Sequence, residues 1–351
     1  MRRIEELITQ KPHTEEFLVE YNEFIASIYV KNFPDYKYRA SPSLNKLESQ
    51  THLYQRILYF IKAKELLTSD SAVQLETDDP VIKEALDREF PGRVHCEDPG
   101  ISAFSLIKRV AFYFLLTLYF KFFVKKKVGT NHFRNIVRTY FVPRSIDKAG
   151  YLRDEYLGAF TDDLMLSENS LCIYKLVDWH DWRLYQAGKA KDFFNHALVE
   201  HFLSFFDIIM VFGKFIFSNI RLQQVMFRNV DITNLINASL REDFRKTGAL
   251  VTIMEDAAAE NIYKLGPDFL FLPFENQAWE KVYPYQRSIV GSAVKIIGFQ
   301  HTGVSFKLLN YFPSSLEKTL SIYPDVIFTV GEVIKKILDE KTLWLAWQII
   351  S

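Results

Sequence analysis

After Gly266 the texture of the chain changes, and short apolar runs alternate with helical patterns as far as residue 340. "DFLFLP" at 268–273 leads into a helical pattern at 277–290, and "VKIIGF" at 294–299 leads into a loop. "PDVIFTV" at 324–330 reaches Gly331 and a helical pattern at 332–340. Apolar strands joined by helices and long connections are buried on both faces, which means a mostly parallel sheet. A parallel sheet brings every strand's carboxyl end to one edge, and ligands bind in the crevice outside that edge. Two polar clusters fall there. "PFENQAWEK" sets Glu275, Asn276 and Gln277 just past one strand, and "GFQHTG" sets Gln300, His301 and Gly303 just past the next.

Upstream the chain divides by pattern into an α/β part at 1–98 with a helical start, and a helix-rich middle at 99–264. The segment 265–340 completes the sheet, and 341–351 is a tail. "AVQLET" (72–77), "GRVHC" (92–96) and "LCIYKLVDW" (171–179) are strand-like, whereas 190–264 reads as successive helices. Asp79 precedes Pro80 as a helix cap precedes a first-turn proline.

Glu275 stands where a carboxylate can take a proton from a hydroxyl or hold a sugar hydroxyl by a charge-assisted hydrogen bond. The plainer reading is a first-turn carboxylate complementing the helix dipole. Asn276 is the expected helix cap, which frees Glu275. Trp279 is expected to pack and Glu280 to be solvated. His301 has the residue type of a general base or an anion donor near neutral pH, and Gly303 allows close approach of the loop to a ligand. No histidine or cysteine spacing marks a metal site. Phosphate-binding glycine loops, a nucleophile elbow and a D-x-D pair are all missing.

Lys plus Arg and Asp plus Glu are equal at 43 each, so no overall field attracts nucleic acid. Two cysteines far apart suit a reducing cytoplasm, and "MRRIEELITQ" lacks the apolar stretch of a secretory signal. Charge is uneven locally. Pro99 to Ile146 has no Asp or Glu but contains Lys108, Arg109, Lys121, Lys125, Lys126, Lys127, Arg134, Arg138 and Arg144. Its apolar run, Val110 to Phe120, spans about 16 Å as a helix, too short for a bilayer. Two readings stand. One is an interfacial helix with lysines 108, 121 and 125–127 and Arg109 on anionic lipid; the other is a core helix with a solvated basic end. Apolar residues all round the helix favour the second.

"PFENQAWEK", "GFQHTGVSFKLLNYFPS" and "YPDVIFTVGEVIKKIL", in that order, resemble bacterial surface-carbohydrate biosynthesis proteins of the O-antigen and capsule type, with GT-B-like glycosyltransferase architecture. The resemblance covers 150–340, with "DEYLGAF" and "FRNVDITNLI" fitting more loosely, and 1–149 by layout alone. It implies an α/β fold, a helix-rich GT-B-like N-terminal Rossmann-type domain, and transfer of a sugar from a nucleotide-activated donor to a glycan or lipid-linked acceptor. It implies no bound metal or other cofactor. Glu275 and His301 become base and orienter, in either order; Asn276, Gln277, Gln300, Gly303 and Asn310 become substrate contacts. Only "KTLWLAWQIIS" follows residue 340, so the resemblance also implies an acceptor-side half with little transfer of its own and an exposed apolar tail. A non-catalytic glycan-binding or scaffold module derived from such an enzyme is the alternative.

Overall fold

The computed structural model describes residues 2–7, 15–47, 51–98, 100, 102–128, 132–154, 156–157, 160, 163–164, 169–176, 179–188, 195–304, 308–341 and 349–350. Three short strands near the N-terminus, β1 (Arg2–Arg3), β2 (Leu75–Thr77) and β3 (Val94–Cys96), form a small parallel sheet in that order. The main sheet has seven strands: β4 (Asn135–Tyr140), β5 (Ser170–Lys175), β6 (Asn195–Leu198), β9 (Phe269–Pro273), β10 (Lys295–Phe299), β11 (Val326–Phe328) and β12 (Ile349–Ile350). Between β6 and β9 lies an antiparallel pair, β7 (Met226–Phe227) and β8 (Val230–Asp231).

Helices α1 (Glu15–Asn32), α2 (Tyr36–Arg39), α3 (Leu53–Ser69) and α4 (Pro80–Asp87) belong to the N-terminal part. The rest are α5 (Ala103–Phe123), α6 (Trp179–Ala187), α7 (Phe205–Ile216), α8 (Thr233–Asp243), α9 (Thr247–Tyr263), α10 (Ala278–Val290) and α11 (Glu332–Lys341).

Every pairing in the main sheet is parallel, and the spatial order is β12-β11-β10-β9-β4-β5-β6. The chain steps outward from β4 through β5 to β6. It then returns through α7, α8 and α9 to lay β9 against the other side of β4, and steps outward again. In chain order this is 3-2-1-4-5-6-7, a doubly wound α/β arrangement compatible with a Rossmann-like fold. The strands of the middle segment and those of 265–340 therefore share one sheet.

Alternation along each strand feeds two cores. Ile136, Leu171, Ile173, Leu270, Leu272 and Ile296 face the larger one with α9 and α10, and Val137, Cys172, Tyr174 and Phe271 face a second with Leu116 and Phe120 of α5. A helix on each face leaves the parallel sheet without a wet side, as its composition requires.

Several sequence expectations change here. "NIVRTY", which carries no clear strand pattern, is central β4. "NHAL", inside a stretch expected to be helical, is edge strand β6. Ile349, in the tail expected to be exposed, is buried as part of β12 beside Ile327; residues 342–348 lie outside the described set.

Arg138 explains why β4 is hard to recognise. Its guanidinium is wholly buried in the middle of the sheet and forms a forked pair with Glu255 of α9, which is equally buried. Tyr283 of α10 donates to the same carboxylate at 2.6 Å, and the guanidinium lies 4.6 Å from the centre of the Trp279 ring. Two ions taken from water are tolerable only when their hydrogen-bonding capacity is filled this way. A second buried cluster ties in the N-terminal part: Lys46 donates to Glu317, to Asn22 Oδ1 at 2.7 Å and to the Phe312 carbonyl at 3.2 Å, with Lys281 3.7 Å from Glu317.

Removing one partner of a buried pair strands the other. Arg138→Met is expected to lower unfolding free energy by about 3–5 kcal/mol, and the double variant Arg138→Met/Glu255→Met to recover most of that loss. Urea denaturation of the three proteins checks it; a single variant within roughly 1 kcal/mol of wild type would refute the role given to this pair.

Candidate functional site

The carboxyl ends of β4 and β9, adjacent strands whose onward connections run in opposite directions, define the topological switch point of the sheet. Tyr140 ends β4. Phe274 and Glu275 follow Pro273 at the end of β9, and Gln300 and His301 follow Phe299 at the end of β10. Gly298 of β10 makes the juxtaposition possible. A Cβ there would meet Phe274 Cβ at 3.0 Å and Pro324 Cγ at 3.1 Å, so only glycine lets the β9 exit pass this close.

The structure brings Glu275 and His301 together. Imidazole Nε2 lies 3.3 Å from Glu275 Oε1, with the side chains 16% and 27% exposed. Glu275 Oε2 accepts from the Gln277 amide, so both carboxylate oxygens are engaged. The Tyr156 ring meets the imidazole edge-on, 4.7 Å between centroids. His301 Nδ1 is enclosed and has no hydrogen-bond partner among the described residues.

Beneath the dyad, Glu280 is buried, not solvated. Its two oxygens accept the Glu275 backbone N–H at 3.2 and 3.0 Å, and the N–H groups of Asn276 and Gln277 face it as well. Gln277 is therefore the N-cap of α10, but its own side chain makes no cap bond, and Glu280 on the first turn supplies the acceptor. Asn276, expected as the cap, sits in left-handed backbone at φ 54°. It is buried with its amide donating to the Asn310 carbonyl, while the Asn310 amide donates to the Glu275 carbonyl. This reciprocal clamp fixes the turn carrying Glu275.

Gln300 is also buried. Its amide donates to the Thr302 carbonyl and accepts from the Val330 N–H at 3.3 Å. Asn276, Asn310 and Gln300 thus shape the loops through bonds to backbone. Gln277 touches Glu275, and Gly303 is exposed with open space around it. Trp279 packs, as expected, edge-on to Tyr140 at 5.1 Å.

Two further residues escaped the sequence reading. Asp154, buried near His301, accepts the Leu157 N–H. Burial raises its pKa, partly offset by hydrogen bonds from Thr139, Leu157 and Tyr156 and by the His301 charge. It opens the "DEYLGAF" stretch, the one signal that pointed towards it. The buried Tyr140 hydroxyl is held above its ordinary pKa by desolvation, despite Arg138, with Glu255, Glu280 and Tyr156 adding to the rise.

Electrostatics separates the two glutamates. Burial pushes both upward. For Glu280 burial and the Glu275 charge outweigh three backbone donors, and the pKa is raised well above the usual range. For Glu275 the hydrogen bond and charge of His301, with the Gln277 bond, win over burial and hold the pKa below 4.5. Because its folded value is depressed, Glu275 contributes stability that is present above the ordinary pKa and lost as pH falls through the folded one.

The basic residues of 99–146 are split. Lys108, Lys125 and Lys126 are exposed. Arg109 donates to the Arg245 carbonyl at 3.2 Å, Lys121 to the His201 carbonyl at 2.9 Å, and the Lys127 N–H to the His196 carbonyl at 3.0 Å. Among the described residues no group of three His, Cys, Asp or Glu side chains is placed to hold a metal ion. No helix among them is long and apolar enough to cross a membrane. Comparison with protein-family models, with curated proteins and with solved structures finds no match to this chain.

His301→Ala removes the main influences lowering the Glu275 pKa, so the Glu275 titration is expected to move to higher pH. Carboxyl carbon shifts followed by NMR across the acid range measure it. An unmoved midpoint would mean that the imidazole does not act on this carboxylate.

Proposed function

We propose that the chain carries the acceptor and base side of a glycosyltransferase of surface-polysaccharide biosynthesis, with the dyad at the switch point as its reacting centre. The observation that carries this is the Glu275–His301 pair together with imidazole Nδ1, which has no partner among the described residues. A buried polar atom without a partner costs about 1–3 kcal/mol, which a bound hydroxyl would recover.

The geometry favours one order of roles. Glu275 has both oxygens engaged and a depressed pKa, which makes it a weak base but a good orienter. A carboxylate oxygen 3.3 Å from Nε2 favours the proton on that nitrogen and leaves Nδ1 as the acceptor, the logic of a base oriented by a third group. Nδ1 is shielded as the loops stand, so the acceptor hydroxyl reaches it only once they part; it then gives its proton to Nδ1 as its oxygen bonds the anomeric carbon of the donor. The bond from that carbon to the leaving phosphate breaks, and its electron pair leaves with the nucleotide. Burial of the surrounding loop residues limits water that would otherwise hydrolyse the donor. On this reading the donor is a nucleotide-activated sugar and the acceptor a glycan or lipid-linked saccharide. The place of work is a reducing cytoplasm, which two unpaired cysteines suit.

The test is transfer of isotope-labelled sugar from UDP-, GDP- and CMP-linked donors to a lipid and glycan extract, by the chain alone and supplemented with cell extract that supplies any donor-binding partner. Incorporation is expected, falling about 10²–10⁴-fold in His301→Ala. Retention of glycan with no incorporation from any donor, or full incorporation by His301→Ala, would contradict the proposal; the first result is that of a binding module.

A further inference from the structure

Helices α5 and α7 lie side by side and expose the wrong residues for water. On α5, Phe104, Ile107, Phe112, Leu115, Phe122 and Phe123 face outward, with Phe123 73% exposed. The outward face of α7 is Phe205, Phe206, Ile209, Met210 and Ile216, continued by Phe217 at 83% exposed. Single exposed apolar residues are ordinary, but two adjoining helices whose exposed residues are mostly large and apolar mark an interaction surface. Between them runs an open groove of about 640 Å³, whose apolar lining includes Ile107, Val110, Phe114, Ile209, Phe212 and Ile216.

Charge decides the occupant. On the two helices the only carboxylate is Asp207, already bound to the Ser204 N–H at 2.7 Å in the capping box of α7. Exposed Lys125 and Lys126 follow the end of α5, and the charge of Lys126 acts on Lys121 and on His201, three residues before Ser204. At the other end Lys108 is exposed and Arg245 lines the groove. An apolar, aromatic face with cations at both ends and no free carboxylate matches the hydrocarbon boundary and anionic headgroups of a bilayer.

We infer that α5 and α7 together form a face that inserts into one leaflet of an anionic membrane, with the groove between them taking a lipid acyl chain. The lysines alone do not make this site: Arg109 and Lys121 are turned into the protein, and the apolar face of α7 supplies half of the contact. The groove also lies towards the dyad's edge of the sheet. Val110 and Phe114 line it, while Tyr113 and Thr117 on the same helix border a small cavity with Tyr140 and Lys175 at the carboxyl ends of β4 and β5. Membrane insertion stands on this surface alone and is tested with no sugar donor present.

The experiment is sedimentation of the full chain with phosphatidylcholine vesicles, with and without phosphatidylglycerol. Binding is expected to the anionic vesicles, and to weaken as salt approaches about 1 M, where screening reaches about 3 Å. Phe206→Glu/Ile209→Glu is expected to lower that binding roughly tenfold or more. Both residues are exposed, and an unchanged circular-dichroism melt shows that the variant is folded. Equal binding by the folded variant, or no binding to anionic vesicles, overturns the inference. So does a stable dimer in light scattering that the variant dissolves, since the face then belongs to a second copy of the chain.

Discussion

The return of the chain from β6 to β9 governs the rest of this molecule. Once β9 pairs with β4 on the side away from β5, the connections leaving those two strands must diverge, which is the place in such sheets where ligands bind. Everything polar at the rim follows from that placement: Tyr140 from one wall, Glu275 from the other, and His301 from the next strand along. The long path through α7, α8 and α9 is what makes the return possible, and α9 supplies Glu255, the partner that allows Arg138 to sit in the central strand.

The polar groups at the switch point form layers. Arg138, Glu255 and Tyr283 lie deepest and satisfy one another. Glu280 sits above them, accepting the backbone of the turn that carries Glu275. Asn276 and Asn310 lock the same turn from the side. Only the outermost layer, Glu275 with His301, is partly open. A rigid lower shell holding a partly exposed dyad is the order in which a reacting pair is usefully built, because the supporting bonds keep its geometry without occupying the last acceptor atom.

Much of this was legible in the sequence, and the failures have local causes. The buried strands of 268–299 and the helices after them announce themselves by apolar runs and punctuation, and Asp79 before Pro80 is the helix cap it looks like, accepting the Val81 N–H at 2.8 Å. β4 was hidden because Arg138 reads as a surface residue until its partner, more than a hundred positions away, is known. β6 has only four residues, too few for a period to emerge. Glu280 falls on the helix's first turn, where composition cannot distinguish a solvated carboxylate from one folded back onto backbone N–H groups. The pairing of Glu275 with His301 was expected from two strand ends sharing an edge, whereas the inward use of Asn276, Gln300 and Asn310 depends on loop paths that no pattern encodes. For α5, residues apolar all round gave no hint of which face stays uncovered.

The central claim is a proton position: Nε2 of His301 protonated and held by Glu275, Nδ1 bare and ready to accept. Long-range nitrogen–proton correlation spectra of the imidazole at neutral pH read this directly. The expected tautomer has the proton on Nε2, with that proton's resonance displaced when Glu275 is replaced by Gln. A proton on Nδ1, or an imidazole resonance indifferent to residue 275, would contradict it.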